Sequence, residues 1–164
     1  MDIKKATIND LEKILSFINT QTQVLLTQKF DFQELNNLPG RKQIMDKISN
    51  DEEFIALHSD KVIGIITLSN QNFYYSGVKW ETEDSSPIYI DWLIVDFTLD
   101  GKKIEHELLM FAQGMAQKKG SKSMRLNVYS TGPMKPSFYY ELGYKPVDEI
   151  VLERLKIICY EKKL

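Results

Sequence analysis

One carboxylate interrupts an apolar stretch in the middle of this chain. The segment Ile88–Val95 reads IYIDWLIV, and Asp91 is its only charged residue. A carboxylate between Ile90 and Trp92 is partly withdrawn from water, an environment in which carboxylates serve as general bases. Asp91 is therefore a candidate for taking a proton from a substrate. An exposed strand position or an ion pair with a lysine are the alternatives.

The turn after this stretch has the features of an anion site. It reads FTLDG, and the helical pattern KKIEHELLMFAQGMAQKK follows at once. The first N–H groups of a helix lack intrahelical acceptors and the helix dipole is positive there, so a phosphate is a natural ligand. Residues 124–128 form a second predicted strand. Strand, helix and strand in this order predict a right-handed βαβ unit with two parallel strands.

The other reactive side chains indicate structural roles. His58 ends a predicted strand and His106 lies in the first turns of the helix, and both are expected to face solvent. No Cys–His or Ser–His–Asp spacing supports covalent catalysis. Cys159 is the only cysteine, which excludes an internal disulfide, and it is expected to pack in the interior. No CxxC pair or Cys/His cluster predicts a metal site.

Length and composition indicate one ordinary globular domain. The chain has 164 residues, of which 43% are hydrophobic and 27% charged, with a formal net charge of −2. That balance argues against nucleic-acid binding through a basic surface. No apolar run approaches the roughly 18 residues that a membrane-spanning helix needs. The opening MDIKKATINDLEK has no apolar run after its charges, so that no signal peptide is expected and a cytoplasmic location is predicted.

The hydrophobic periodicity predicts the remaining elements. They are a strand at 2–6, helices at 7 to about 27 and 41–49, strands at 53–58 and 62–68, a long loop at 70–87, a short aromatic helix ending at Gly143 and a final strand at 149–158. The polar sequence EKKL is expected to form a tail.

The order of these segments resembles the GNAT superfamily of N-acetyltransferases that use acetyl-CoA. The matching motifs are IKKATINDLEKIL, FIALHSDKVIGIITL, WLIVD with GKKIEHELL, and FYYELGYKPV, which is similar to the family's Y-x-x-L-G-F ending. The likeness covers nearly the whole chain. It implies a single domain, residues 1–164, with α/β (α+β) architecture: a mixed, mostly antiparallel sheet with helices on both faces and a central parallel βαβ unit.

The coenzyme loop departs from the family pattern. In the family it reads Arg/Gln-x-x-Gly-x-Gly/Ala, and its backbone amides bind the pyrophosphate. The corresponding positions here are Asp100, Lys103 and Glu105, and only the intervening Gly101 is as expected. Side chains at these positions obstruct the close approach that glycine allows. The two acids also add negative charge, which Lys102 and Lys103 offset, although acids in a first turn equally stabilise the helix dipole.

The resemblance also implies roles for particular residues. Tyr139 stands where the family has the acid that protonates the departing thiolate, and a core aromatic is its other reading. Asp91 lies near a glutamate that some relatives use as a base. The implied coenzyme-binding groups are the main chain of Leu93, Ile94 and Val95 for the pantetheine, and Gly101, Lys102, Lys103 and Ile104 for the phosphates.

The expected function is the transfer of an acetyl group from acetyl-CoA to a primary amine of a small molecule or peptide, by direct attack in a ternary complex and without a metal. One alternative is a catalytically inactive GNAT-like binding or regulatory module. Another is an enzyme with a different acyl donor or a displaced phosphate site. Segments 30–49 and 70–87 are expected to line the acceptor pocket, where Glu81, Glu83 and Asp84 favour a cationic amine. Similar proteins are commonly homodimers, but the sequence does not determine the oligomeric state.

Overall fold

The structure is a computed structural model of this chain. It describes residues 1–28, 37–71, 77–130, 136–152 and 155–164. Residues 30–36 and 72–76, which belong to the two segments predicted to line an acceptor pocket, lie outside the described residues. The strands are β1 (Asp2–Lys5), β2 (Glu53–His58), β3 (Lys61–Ser69), β4 (Ile88–Val95), β5 (Ser123–Tyr129), β6 (Lys145–Leu152) and β7 (Leu155–Lys163). The helices are α1 (Leu11–Thr27), α2 (Arg41–Ser49), α3 (Gly101–Lys118) and α4 (Pro136–Glu141), with a 3-10 turn at Ile8–Asp10.

These strands form a seven-stranded sheet in the order β1-β2-β3-β4-β5-β7-β6. The pairs β1–β2, β2–β3, β5–β7 and β6–β7 are antiparallel, and β4–β5 is parallel. The predicted fold class, a mixed and mostly antiparallel sheet around a parallel βαβ unit, is confirmed. The chain divides into two compact units, Met1–Leu68 with Trp92–Phe111 and Ser69–Asp91 with Ala112–Leu164.

The first unit holds helices on both faces of its strands. Its core contains Ile14 and Ile18 of α1 and Ile44 of α2, packed with Ile65 of β3. The preceding residue, Gly64, points the other way, because successive strand residues face opposite sides. A Cβ at Gly64 would lie 2.9 Å from Leu108 Cδ1 and 3.1 Å from Ile104 Cγ2, both on α3. Helix α3 therefore covers the opposite face and approaches the strand at a glycine.

Two of the predicted strands in this unit form a tight antiparallel hairpin. Strands β2 and β3 pair from Glu53–Thr67 to His58–Lys61. The two residues between them, Ser59 and Asp60, have φ values of 48° and 62°. Positive φ at both central residues matches the right-handed twist of the flanking strands, which is why such two-residue turns close hairpins.

In the second unit, β5 lies between β4 and β7. The parallel ladder has three partner pairs, Ile88–Met124, Tyr89–Arg125 and Ile90–Leu126. On its other side β5 pairs along its whole length with β7, and Leu126 is the partner of Tyr160. Paired residues share a face of the sheet, so Ile90, Leu126 and Tyr160 form a row on one face.

The prediction of one final strand at 149–158 was wrong, because the chain ends in a hairpin. Strand β6 pairs antiparallel with β7, and β7 continues through Glu161 and Lys162. These charged residues are not a solvated tail. The carboxylate of Glu161 is buried against Arg125 at 3.0 Å, and Lys162 Nζ donates to Gln113 Oε1 at 2.7 Å. Their partners lie 36 and 49 positions away in the sequence, so no local pattern indicated them.

Candidate active site

The turn after β4 is held by a buried carboxylate. Asp96 is 1% exposed, and its Oδ1 accepts hydrogen bonds from Thr98 N at 3.0 Å and Thr98 Oγ1 at 2.6 Å. Lys61 Nζ lies 3.5 Å from Asp96 Oδ2. Burial acts to raise the pKa of Asp96, but the Thr98 hydrogen bonds and the Lys61 charge outweigh it and hold the pKa below its ordinary value. The charged carboxylate therefore fixes the backbone of this turn.

A second anchor of the turn comes from α1. Gln21 is 2% exposed, and its Oε1 accepts the backbone N–H of Phe97 at 3.0 Å. Gln21 was not among the predicted site residues. The signal was present, because Gln21 continues the buried stripe of Leu11, Ile14 and Ile18 at helical spacing. A polar residue on an apolar stripe is expected to have an internal partner.

The N-terminus of α3 is capped by its own preceding residue. Asp100 Oδ1 accepts the N–H of Lys103 at 3.2 Å, and the Asp100 carbonyl accepts the N–H of Ile104 at 3.1 Å. Asp100, Lys102 and Lys103 are exposed. Glu105 is 4% exposed, so Asp100 is the acid that this loop presents at the surface.

In the second unit, Asp91 follows directly after the last pair of the parallel ladder. Its side chain is half-buried, and the buried Ser69 places its Oγ 2.8 Å from Asp91 Oδ2 and 3.2 Å from the Gln71 carbonyl oxygen. The shorter contact indicates that the Ser69 hydroxyl donates to the carboxylate. Ser69 therefore orients Asp91, the candidate base. This contact between Ser69 and Asp91 was not predicted from the sequence.

Tyr139 lies in the aromatic cluster of the second unit. It is 6% exposed, whereas its neighbour Tyr140 is 52% exposed. The Tyr139 ring lies 5.5 Å from the ring of Tyr160, 6.5 Å from that of Tyr144 and 5.3 Å from that of Phe138. The ring is therefore fixed by packing on β7.

The two candidate catalytic side chains belong to opposite faces of the sheet. Tyr139 packs on Tyr160, which shares a face with Leu126 and Ile90. Asp91 is the next residue after Ile90 and points to the other face, because strand side chains alternate. Two strand spacings, or about 10 Å, separate Ile90 from Tyr160 in this row. The carboxylate of Asp91 therefore lies on one face of these strands, and the ring of Tyr139 packs on the other.

A buried ion pair fixes the segment that precedes β4. Arg125 Nε donates to Glu161 Oε2 at 3.0 Å, and both side chains are almost fully buried. The other Glu161 oxygen accepts Thr82 N at 2.9 Å and Thr82 Oγ1 at 2.8 Å. Arg125 also donates to the Tyr89 hydroxyl at 2.9 Å and lies 4.7 Å from the centre of the Trp80 ring. Aromatic and polar contacts together hold this segment against β5 and β7.

Asp84 is an anchor of the same segment. Its Oδ2 accepts the backbone N–H groups of Lys122 and Ser123, each at 2.8 Å. Burial acts to raise the pKa of Asp84, but these hydrogen bonds and that of Ser86 outweigh it and lower the pKa. Since its acceptor capacity is used by the backbone, Asp84 does not support the expectation that it attracts a cationic amine.

The remaining reactive side chains lie as predicted. His58 and His106 are exposed. Cys159 is fully buried, and burial, followed by the charge of Asp148, raises the pKa of its thiol to about 11. Since the thiolate is the reactive form, Cys159 is a packing residue. In the part of the chain that the structure describes, no helix is long and apolar enough to cross a membrane.

The fold and the site define the class of protein. The sheet is mostly antiparallel with one parallel pair, and a crossover helix whose N-terminus follows β4 connects the two strands of that pair. The sequence motifs imply this architecture. A family model described as the acetyltransferase (GNAT) domain matches residues 18–163. The chain therefore belongs to the GNAT acetyltransferase family, and this membership supports an N-acetyltransferase enzyme.

Solved structures share the fold at low sequence identity. A GNAT-family acetyltransferase from Streptococcus agalactiae 2603 is 15% identical, with a TM-score of 0.77, over 99% of this chain and 95% of that one. The PaiA N-acetyltransferase from Thermoplasma acidophilum, in complex with coenzyme A, is 21% identical, with a TM-score of 0.75, over 99% and 98%. An aminoglycoside 6'-acetyltransferase of type Ii is 15% identical, with a TM-score of 0.73, over 99% and 97%. A search of curated protein sequences finds no match.

Proposed function

We propose that this protein transfers an acetyl group from acetyl-CoA to a primary amine of a small molecule or peptide, by direct attack in a ternary complex. The observation that carries the proposal is the end of the parallel ladder at Ile90 and Leu126. Asp91 follows immediately on one face, and Tyr139 packs on the same row of residues from the other. Family membership and similarity to a coenzyme A complex and to an aminoglycoside acetyltransferase support the same reaction class.

Asp91 is the proposed base. An amine is an ammonium at neutral pH and attacks only after it has lost a proton. Asp91 accepts that proton, directly or through a water molecule, while Ser69 holds the carboxylate in place at 2.8 Å. The half-buried position leaves the carboxylate within reach of a substrate.

Tyr139 is the proposed acid. Acetyl-CoA, as co-substrate, supplies a thioester whose carbonyl carbon forms a bond to the amine nitrogen while its bond to sulfur breaks. The phenol donates its proton to the departing sulfur. The amide nitrogen then loses its surplus proton, which restores the phenol, and the proton taken by Asp91 leaves to solvent. The products are the N-acetylated amine and a free thiol, so that every proton is accounted for.

The main chain of Leu93, Ile94 and Val95 forms the C-terminal end of β4. These groups are proposed to bind the pantetheine and to stabilise the oxyanion, since fixed N–H groups act strongly where charge develops.

The loop at the start of α3 fits a diphosphate in part. Lys102 and Lys103 are exposed cations. Among the described residues, the backbone N–H groups of Asp100 and Lys102 have no hydrogen-bond acceptor. Gly101, Lys102, Lys103 and Ile104 are thus proposed to receive the phosphates. Three of these four N–H groups already have acceptors within the chain: that of Gly101 donates to the Leu99 carbonyl, that of Lys103 to Asp100 Oδ1 and that of Ile104 to the Asp100 carbonyl.

Calorimetric titration tests the proposal most directly. The protein is titrated with acetyl-CoA and with desulfo-CoA, which lacks the thiol, and then incubated with acetyl-CoA and a panel of amines: a polyamine, an aminoglycoside and a lysine-containing peptide. Micromolar binding of both ligands, followed by amine-dependent thiol release, would support the proposal. Absence of binding at millimolar ligand would refute the choice of donor. That result would favour a non-catalytic GNAT-like module, for which the occupied Lys103 amide is the supporting observation.

A further inference from the structure

An asparagine on β5 has a buried oxygen that no group of the described chain satisfies. Asn127 is half-buried, and within the described residues its Oδ1 is buried without a hydrogen-bond partner. A buried acceptor that lacks a hydrogen bond destabilises the folded chain. Such an atom is uncommon in a native protein, and a catalytic or binding role is one reason for its presence.

The strand register places this asparagine beside the proposed base. The parallel ladder pairs Tyr89 with Arg125, and these two side chains meet on one face, where Arg125 donates to the Tyr89 hydroxyl at 2.9 Å. Strand side chains alternate, so the residues two positions further along point to the same face. They are Asp91 on β4 and Asn127 on β5. The carboxylate that Ser69 orients at 2.8 Å therefore has the Asn127 amide next to it on the neighbouring strand.

The spacing of these two side chains suits one amine nitrogen. Neighbouring strands lie about 4.8 Å apart. Two oxygens that accept N–H groups of the same tetrahedral nitrogen, each at about 2.9 Å, are roughly 4.7 Å from each other. An amine on this face can therefore donate to the Asp91 carboxylate and to the Asn127 oxygen at the same time.

We propose that Asn127 is a specificity-determining residue, whose Oδ1 accepts one N–H of the acceptor amine beside Asp91. This inference rests on the proposed function, since it concerns the acceptor of that reaction. A primary ammonium gives one proton to Asp91, and the neutral amine then has two N–H groups for the two oxygens while its lone pair faces the thioester carbon. A carboxylic acid still has an oxygen that accepts a hydrogen bond.

The consequence is a preference for primary amines. An N-methylated amine that directs its lone pair at the thioester carbon has a single N–H, so that one of the two oxygens is left without a partner. A site built to hydrogen-bond a substrate group rejects the analogue that lacks this group. The Asn127 oxygen therefore favours an NH₂ group over its N-methylated form.

The oxygen reaches the amine through a turn of the side-chain amide. Rotation about the Cβ–Cγ bond, a torsion with a broad preference, exchanges Oδ1 and Nδ2 without moving the backbone. Because Oδ1 has no hydrogen bond in the described structure, the free protein loses no bond of this oxygen when the amide turns. The strand itself stays in place, since Asn127 pairs with the fully buried Cys159 of β7.

Two variants remove the oxygen in different ways. Asn127→Leu replaces the amide by an apolar group of similar shape, and Asn127→Ala deletes it. Ser121→Ala is the matched control, because Ser121 Oγ is another buried oxygen without a partner in the described structure, two positions before β5.

The assay compares primary amines with their methylated forms. For each protein, kcat/KM is measured by thiol release with a polyamine, an aminoglycoside and a lysine-containing peptide, each beside its N-monomethyl derivative. Melting temperatures and calorimetric affinities for desulfo-CoA are measured for the same proteins.

A loss of selectivity without a loss of stability is the expected result. The wild type should favour a primary amine over its N-methyl derivative by about tenfold or more in kcat/KM, a factor that corresponds to ~1.4 kcal/mol and to one hydrogen bond. Both Asn127 variants should lower kcat/KM for the primary amine about tenfold, and that for the N-methyl derivative less than about twofold. Asn127→Leu should melt at or above the wild-type temperature, because apolar atoms replace an unpaired oxygen. Ser121→Ala should keep the wild-type selectivity, and no variant should change the affinity for desulfo-CoA.

The other outcomes overturn the inference and separate it from the proposed function. If the wild type acetylates a primary amine and both Asn127 variants keep its preference over the methylated form, Asn127 does not contact the amine, and the proposed function stands. If Asn127→Leu melts well below the wild type and loses activity equally toward both amines, the oxygen has a partner such as an internal water molecule, and its role is structural. If the wild type acetylates none of the amines, the proposed function fails and the inference falls with it.

Discussion

Replacing Tyr139 by phenylalanine removes one oxygen atom and leaves the rest of the site in place. The ring is 6% exposed and is held by Tyr160 and Tyr144 at 5.5 and 6.5 Å. Because phenylalanine has the same ring, these contacts persist, and what is lost is the hydroxyl that we propose as the proton donor. General acids contribute about 10²–10⁴-fold to turnover, which corresponds to roughly 3–5 kcal/mol in the activation barrier.

The assay for this variant measures thiol release at saturating acetyl-CoA, together with calorimetric affinity for desulfo-CoA. We expect kcat to fall by about 10²-fold or more, the lower end of the range for a general acid, with affinity for desulfo-CoA unchanged. Tyr140→Phe is the matched control, because it removes a hydroxyl from the adjacent, 52% exposed residue of the same helix. The control should retain wild-type turnover. A Tyr139→Phe enzyme with turnover within about twofold of the wild type would remove Tyr139 from the mechanism, since even a weak general acid contributes more.

Three further predictions concern the base, the packing of α3 and acid stability. Asp91→Asn should lower kcat/KM by about 10²-fold or more, because the amide cannot take the amine's proton; an unaltered pH–rate profile in thiol-release assays would exclude Asp91 as the base. Gly64→Ala should destabilise the fold by about 1–3 kcal/mol in urea unfolding, because the added Cβ meets Leu108 at 2.9 Å. Gly114→Ala is its control, with open space around the added Cβ and an expected gain of up to ~1 kcal/mol from helix propensity; equal effects of the two would contradict the close approach at Gly64. The pKa of Asp96 is lowered in the folded chain. The stabilisation of the fold by the charged Asp96 carboxylate is therefore complete above the ordinary aspartate pKa of about 4. It is lost as the pH falls through the lowered pKa that Asp96 has in the folded chain. Asp96→Asn should therefore flatten the acid limb of the urea-unfolding profile, and an equally steep limb would show that other carboxylates are responsible.

The elements with a local cause were predicted well from the sequence. Helix α1 follows the spacing of Leu11, Ile14 and Ile18, and its end at Thr27 agrees with the prediction. At the start of this helical segment Thr7 N donates to Asp10 Oδ2 at 2.9 Å, a contact between residues three positions apart. The strand β4 and the helix α3 were found because an apolar run and a helical stripe each carry their own signal.

The C-terminal hairpin had no such local cause. In the sequence Glu161 and Lys162 look like a polar tail. Their partners Arg125 and Gln113 come close to them only when the chain is folded. Buried polar residues are stabilised by their partners, and a partner tens of residues away leaves no trace in a local pattern. The role of Asp84 was missed for the same reason, whereas Gln21 did carry a local signal through its place on the buried stripe of α1.

The sequence by itself determined the βαβ unit, the order of strands and helices up to the short aromatic helix, and the family motifs, because each depends on residues close together in the sequence. It also indicated Asp91, Tyr139 and the loop from Asp100 to Glu105 as candidate site residues. Only the tertiary structure decided that the parallel ladder ends beside Asp91, that Ser69 orients this carboxylate, and that Asp100 faces outward while Glu105 is buried. The physical reason is that strand register and side-chain direction are set by packing between distant segments, whereas helix and strand propensities are set by neighbours along the chain.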